Sequence, residues 1–221
     1  MARILVIAPH MDDEVLGCGG TIARHVDAGD EVAVSIVCHR VYQRQFDAAA
    51  NEAERASTRR ASTILGYGVL EFLDLPDERL HMHFQELLDA LERAVATFRP
   101  EIVYVPHAGD LHQDHRTVAH GSNIALRALS ANAPQRVLAY EVPSSTEQVF
   151  PNTSIPFVPN VFIDIEGQLD RKLAAMAAYE RESRPSPHPR SPEMLTARAR
   201  LYGTQCRRAA AEAFMLLREV R

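Results

Sequence analysis

At 221 residues, with 46% hydrophobic and 24% charged side chains, the chain has the length and balance of one soluble globular domain spanning 1–221. A net charge of −5 argues against nucleic acid as the main partner, because phosphate binding needs clustered Lys and Arg. Cys18, Cys38 and Cys206 are odd in number and widely spaced, which argues against a disulfide framework and a CxxC zinc site. No stretch approaches the ~18 apolar residues of a membrane span, and none reads as a secretory leader, so the cytoplasm is the expected location.

Taken in order, Ala2 to Ala8 reads as a buried strand because its apolar run does not alternate. A helix from Asp13 to Ala28 stops at Gly29, and Glu31 to Val37 is a second buried strand. Residues 38–46 form a connection whose polar side chains suit a pocket lining. A helix follows from Asp47 to Leu65, ended by Gly66, then a strand from Val69 to Leu73 and a loop from Asp74 to Asp77. Leu87, Leu88, Leu91, Val95 and Phe98 recur at helical spacing, predicting a helix over Phe84 to Phe98 that Arg99-Pro100 closes. Glu101 to Val105 is a strand, Arg116 to Leu129 a helix and Arg136 to Tyr140 a strand. The four prolines between Val142 and Pro159 make that segment a long loop, a common carrier of function. Val161 to Ile165 is expected as the last strand, followed by a helix from Leu169 to Glu182. A proline-braced loop spans Pro185 to Pro192, and helical material runs from Glu193 onward. Strands alternating with helices predict an α/β fold with a mainly parallel sheet and helices on both faces.

Two clusters of ionisable residues follow predicted buried strands: His10-Met11-Asp12-Asp13-Glu14, and His107 with Asp110-Leu111-His112-Gln113-Asp114-His115. In a parallel sheet both fall beyond the carboxyl ends of strands, where ligands bind. His10 and Asp13, like His112 and His115, stand three residues apart at a strand-to-helix turn, so each pair can face one point. Two His, one Asp and a water would complete a tetrahedral hydrolytic zinc site. Asp12, beside Asp13 but pointing elsewhere, suits a general base, and His112, where it is not the ligand, suits an oxyanion or amine donor. Asp110 is expected to cap the following helix, with Gln113 reaching back. The competing reading is an anion-binding helix N-terminus. Gly17, Gly19 and Gly20 do not form GxGxxG in register and are expected to permit close packing.

The run Ala8-Pro9-His10-Met11-Asp12-Asp13-Glu14-Val15-Leu16-Gly17 resembles the signature of the LmbE-like (PIG-L) zinc-dependent N-deacetylases. His112-Gln113-Asp114-His115 is similar to that family's second motif. Tyr140 to Glu147, Pro187 to Ser191 and Ala211 to Phe214 match later segments in order. The resemblance implies a Rossmann-like sheet and one zinc ion held by His10, Asp13 and His115. It further implies Asp12 as base, His112 as the protonated partner of the tetrahedral intermediate and Asp114 as the group that orients a ligand. Glu14 is assigned helix-start or supporting duty, and Arg55, His188 and Arg190 are substrate-contact candidates; Glu212 is expected to pair with an internal Arg. The activity implied is removal of the N-acetyl group from an N-acetylglucosamine-type sugar or its conjugate, and relatives of this kind form homo-oligomers. Two alternatives stand beside it: an amidase acting on a larger acyl group of a thiol- or antibiotic-sugar conjugate, and a non-catalytic sugar- or nucleotide-binding protein. Met11 and Gln113 replace the usual prolines, which is expected to alter loop stiffness rather than chemistry.

Overall fold

The computed structural model describes residues 1–42 and 45–221; Gln43 and Arg44, in the expected pocket-lining connection, lie outside the described residues. Strand β1 (Arg3–Ala8) turns into helix α1 (Asp13–Asp27), and β2 (Glu31–His39) follows. The two-residue strands β3 (Val41–Tyr42) and β4 (Gln45–Phe46) precede α2 (Ala48–Leu65), β5 (Val69–Pro76), α3 (Phe84–Phe98) and β6 (Ile102–Pro106). Then come α4 (Gln113–Ala125), β7 (Arg136–Tyr140), β8 (Val161–Asp164), α5 (Leu169–Ala177), α6 (Pro192–Cys206) and β9 (Ala211–Glu219). Local chemistry sets several ends. Asp47 caps α2 by accepting from the Ala49 and Ala50 amides at 2.9 and 3.1 Å, and Gly66, at φ 90°, ends it.

The sheet runs β5-β2-β1-β6-β7-β9-β8. The first five strands are parallel, whereas β9 lies antiparallel between β7 and β8. Along β1 the buried residues divide by parity: Ile4, Val6 and Ala8 join the core under α1, α2 and α5, while Leu5 and Ile7 join the one under α3 and α4. This two-sided burial explains the unbroken apolar run. Because the five parallel strands end along one edge, the turns after β1, β2, β5, β6 and β7 meet there. The strand order reverses direction between β1 and β6, the position where such sheets bind ligands.

The chain past Cys206 departs from expectation. Ala211 to Glu219 is not helical but forms β9, so Val161–Asp164 is not the last strand; α5 also stops at Ala177 rather than Glu182. Ala, Glu, Met, Leu and Arg favour a helix, and sheet pairing on both sides overrides that preference. Helix α4 spans Gln113–Ala125, beginning earlier and ending sooner than expected.

Glu212 pairs with Lys172 of α5 rather than with an arginine, at 2.5 Å, and both are nearly fully buried. The pair enters the α1 hydrogen-bond ladder. Lys172 Nζ donates to the Leu16 carbonyl at 2.9 Å, while Glu212 accepts from the Gly20 and Thr21 amides at 3.0 and 2.7 Å. Gly19 eases the approach, since a Cβ there would stand 3.1 Å from Lys172 Cγ, and Gly17 likewise makes room for the Tyr140 ring, 2.2 Å from where its Cβ would stand. Removing one member of a buried ion pair costs about 3–5 kcal/mol, so Lys172→Met is expected to lower unfolding free energy by about that amount in a urea titration. A midpoint unchanged from wild type would show the pair to be energetically idle.

Candidate metal centre

His10 lies in the turn after β1, Asp13 opens α1, and His115 sits in the first turn of α4 after β6. Their polar atoms form a nearly equilateral triangle. His10 Nδ1 is 3.2 Å from His115 Nε2, and each nitrogen is 3.3 Å from Asp13 Oδ2. Donors bound about 2.0–2.1 Å from a tetrahedral zinc stand about 3.3 Å apart, so this donor set fits such an ion with its fourth position left for water. Asp13 is held in place because its Oδ2 also accepts from the His10 amide at 2.9 Å.

The far nitrogen of each imidazole faces carboxylates. His10 Nε2 lies 3.0 Å from Asp77 Oδ1 and 3.3 Å from Asp114 Oδ2, and His115 Nδ1 lies 3.1 Å from Asp110 Oδ1. Carboxylates behind metal-binding imidazoles fix the tautomer and raise basicity. Asp110 is anchored in turn by the Ser145 and Thr146 hydroxyls and the His112 amide. Asp13, Asp77, Asp110 and Asp114 are each at most 5% exposed, so the protein concentrates negative charge around two buried imidazoles. Burial pulls the His115 proton affinity down, but Asp13 and Asp110 overcome it and raise its pKa to about 9. The pocket is built for positive charge.

Asp12 sits beside the triangle in a strained backbone, φ 125°, a conformation that costs a non-glycine residue about 1–3 kcal/mol. Glu14 supports it: its Oε2 accepts from the Asp12 amide at 3.1 Å while its Oε1 accepts from the Tyr179 hydroxyl at 2.5 Å. The Asp12 carboxylate is completely buried. Its Oδ2 is 2.7 Å from Arg190 Nη1 and 3.6 Å from Arg40 Nη2, while its Oδ1 has no hydrogen-bond partner among the described residues. Burial pushes its pKa up and the two guanidiniums pull it back, leaving it at about 7.

His112 is the most exposed member of the cluster. Its ring stacks on His115 with centroids 4.9 Å apart and meets His10 edge-on at 4.7 Å. His112, not Asp110, caps α4, its Nδ1 accepting from the Asp114 amide at 3.2 Å; Gln113 instead donates to the Glu78 carbonyl. Burial, with the neighbouring His10 and His115, lowers its pKa to about 4. Accepting at Nδ1 leaves its N–H on Nε2.

The expected substrate contacts separate. Arg190 reaches the site, but through Asp12. His188 accepts from the Arg190 amide at 3.2 Å and braces that loop. Arg55 pairs with Asp74 and lies over the Phe72 ring on the edge strand β5. Asp77, Arg40 and Glu182 are the participants that sequence spacing missed. Asp77 also borders a cleft of about 490 Å³ shared with His39, Phe46, Glu78, Arg79 and Gln113, the open ground beside His10. His107 is not part of the triangle; its Nε2 faces the Ile155 carbonyl at 2.9 Å. Neighbouring Gly109 allows that approach, since a Cβ there would overlap the same carbonyl.

A mainly parallel α/β sheet with a His-Asp-His triangle at its switch point defines a candidate metal-dependent hydrolase. The sequence matches the PIG-L family, GlcNAc-PI de-N-acetylase, over residues 5–126, and the chain belongs to that family. It is 33% identical over 183 residues to the uncharacterized deacetylase YaiS of Escherichia coli, covering 80% of this chain and 90% of that protein. It is 29% identical over 193 residues to the diacetylchitobiose deacetylase of Thermococcus kodakarensis, covering 80% and 69% respectively. Among solved structures it resembles GalB, the 4-carboxy-2-hydroxymuconate hydratase of Pseudomonas putida, with TM-score 0.76 and 23% identity over 100% of this chain and 98% of that one. The last likeness concerns the fold alone. Among the described residues, no helix is long and apolar enough to cross a membrane.

Proposed function

We propose that the protein is a zinc-dependent N-deacetylase, with His10, Asp13 and His115 as ligands, acting on an N-acetylglucosamine-type amino sugar or its conjugate. The observation that carries this reading is the donor triangle with 3.2–3.3 Å edges beside a buried carboxylate whose Oδ1 has no hydrogen-bond partner among the described residues. His10, Asp13 and His115 would hold a zinc ion there, which when bound would supply Lewis acidity toward the amide carbonyl and water. Asp12 Oδ1 takes the proton of the attacking water and returns a proton to the departing amine nitrogen. His112 donates from Nε2 to the oxygen on which negative charge develops, at the open side of the site. Asp77 and Asp114 keep His10 in the tautomer that presents Nδ1, and the Asp110 carboxylate lies 3.1 Å from His115 Nδ1, behind the nitrogen turned to the triangle. Water and amide are consumed; acetate and free amine are released.

The sugar assignment is supported by the names of the deacetylase relatives and by the polar cleft beside His10. The same base and triangle would also serve water addition to a carbon–carbon double bond, so the assay must identify the bond broken. Acetate release from a panel of N-acetylglucosamine derivatives is expected with zinc present, to stop on chelation and to return on adding zinc. Protein that lacks a stoichiometric divalent ion and stays inert after zinc addition would overturn the reading. Cleavage confined to longer acyl amides of thiol- or antibiotic-sugar conjugates would move the activity to the larger-acyl amidase.

A further inference from the structure

Asp12, Arg190, Glu182 and Arg40, four charged side chains from three separate segments, close a ring through the outer oxygen of Asp12. Arg190 Nη1 lies 2.7 Å from Asp12 Oδ2 and 2.6 Å from Glu182 Oε2. Glu182 Oε1 lies 3.1 Å from Arg40 Nη2, which stands 3.6 Å from Asp12 Oδ2. Two cations and two anions thus alternate, at side-chain exposures of 1–18%. Arg190 has a further anchor, its Nε donating to Ser144 Oγ at 2.7 Å. Both contacts that the ring makes with Asp12 fall on Oδ2. Oδ1, equally buried, is left without a partner among the described residues. A surface ion pair shows no such asymmetry, because water would serve both oxygens.

We propose, on the deacetylase reading above, that Arg190 is a positioning residue for the general base rather than a substrate contact, and that Glu182 and Arg40 complete its clamp. The clamp fixes the carboxylate plane so that Oδ1 alone faces the attacking water. It also assigns a role to the connector between α5 and α6. Tyr179 reaches the Asp12 amide through Glu14, Arg190 reaches its carboxylate directly and Glu182 reaches it through Arg190, so one segment holds both the backbone and the side chain of the base. Arginine suits the position because one planar fork touches Asp12, Glu182 and Ser144 together, which a lysine point charge cannot do.

The test compares Arg190→Gln, Arg190→Lys and Glu182→Gln with wild type, all zinc-loaded, on an N-acetylated sugar that wild type cleaves. A base displaced by about 1 Å loses on the order of 10²-fold in rate, so Arg190→Gln is expected to lose kcat by about that factor. KM should stay within about threefold of wild type if no substrate contact is lost. Bound zinc should remain at one equivalent. Arg190→Lys should keep about tenfold more kcat than Arg190→Gln, because charge is retained and the fork lost. Added guanidinium should restore part of the kcat of Arg190→Gly. A raised KM with kcat intact in Arg190→Gln would overturn the proposal in favour of substrate contact. Loss of zinc or of cooperative unfolding in the Arg190 variants, with Glu182→Gln fully active, would reduce the ring to scaffold. Wild type inert on every N-acetylated sugar would overturn the deacetylase reading and this inference with it, a result distinct from an active wild type whose variants are unchanged.

Discussion

Asp12→Asn is expected to fold, hold one equivalent of zinc and lose turnover by about 10²- to 10⁴-fold, the range that a general base contributes. Asn tolerates positive φ better than most residues, so the turn at φ 125° survives the change. None of the three triangle atoms belongs to Asp12, so the ion should stay. The amide keeps the volume of the carboxylate but cannot accept the proton of the attacking water. The measurements are kcat on the best sugar and metal content of the same preparation. Full activity would remove Asp12 as base; loss of zinc would place it in the metal's support instead.

His115→Ala should be as damaging by another route. It removes one corner of the triangle and leaves Asp13 and Asp110 facing a gap with no cation between them. Zinc should be lost during purification, and acetate release should fall to background. Buried carboxylates deprived of a partner cost several kcal/mol, so a lower urea midpoint should accompany the loss. Retention of a full equivalent of zinc in this variant would shift the ligand role toward His112, whose ring stacks against His115. The pair of variants separates the two halves of the chemistry: one keeps metal without turnover, the other loses both.

Much of this site was readable in the chain because two of its parts are local. His10 to Glu14 and His112 to His115 each follow a buried strand within a few residues, and the parallel sheet carries both to one edge. What escaped was supplied by distance. Asp77 opens the turn after β5, Arg40 follows β2, and Glu182 lies beyond α5; no spacing links them to residue 10. Arg190 was marked as a candidate, but its partner Asp12 is 178 positions away, so this contact could not be read from spacing. The capping role of His112 was also missed, because Asp110 is the better capping residue by type and its carboxylate was taken up by Ser145, Thr146 and the His112 amide. The β9 segment misled for a related reason. Its composition is helical, and only neighbours on both sides make it a strand.

That inserted strand also constrains how the molecule can be assembled. Among the described residues β8 has one sheet neighbour, β9, which is separated from it in sequence by α5 and α6. During synthesis from the N-terminal side, β1 to β7 can pair as their residues emerge, and His10, Asp13 and His115 can meet early. Residues 161–164 must wait, without a ladder, until residues 211–219 arrive to sit between them and β7. Lys172 waits with them, since its countercharge is carried by the same late strand. The segments that carry the His10-Asp13-His115 triangle are therefore made early, while the connector between α5 and α6 that carries Glu182 and Arg190 comes late. Pairings of such sequence separation are slow to close and leave an unpaired edge exposed meanwhile.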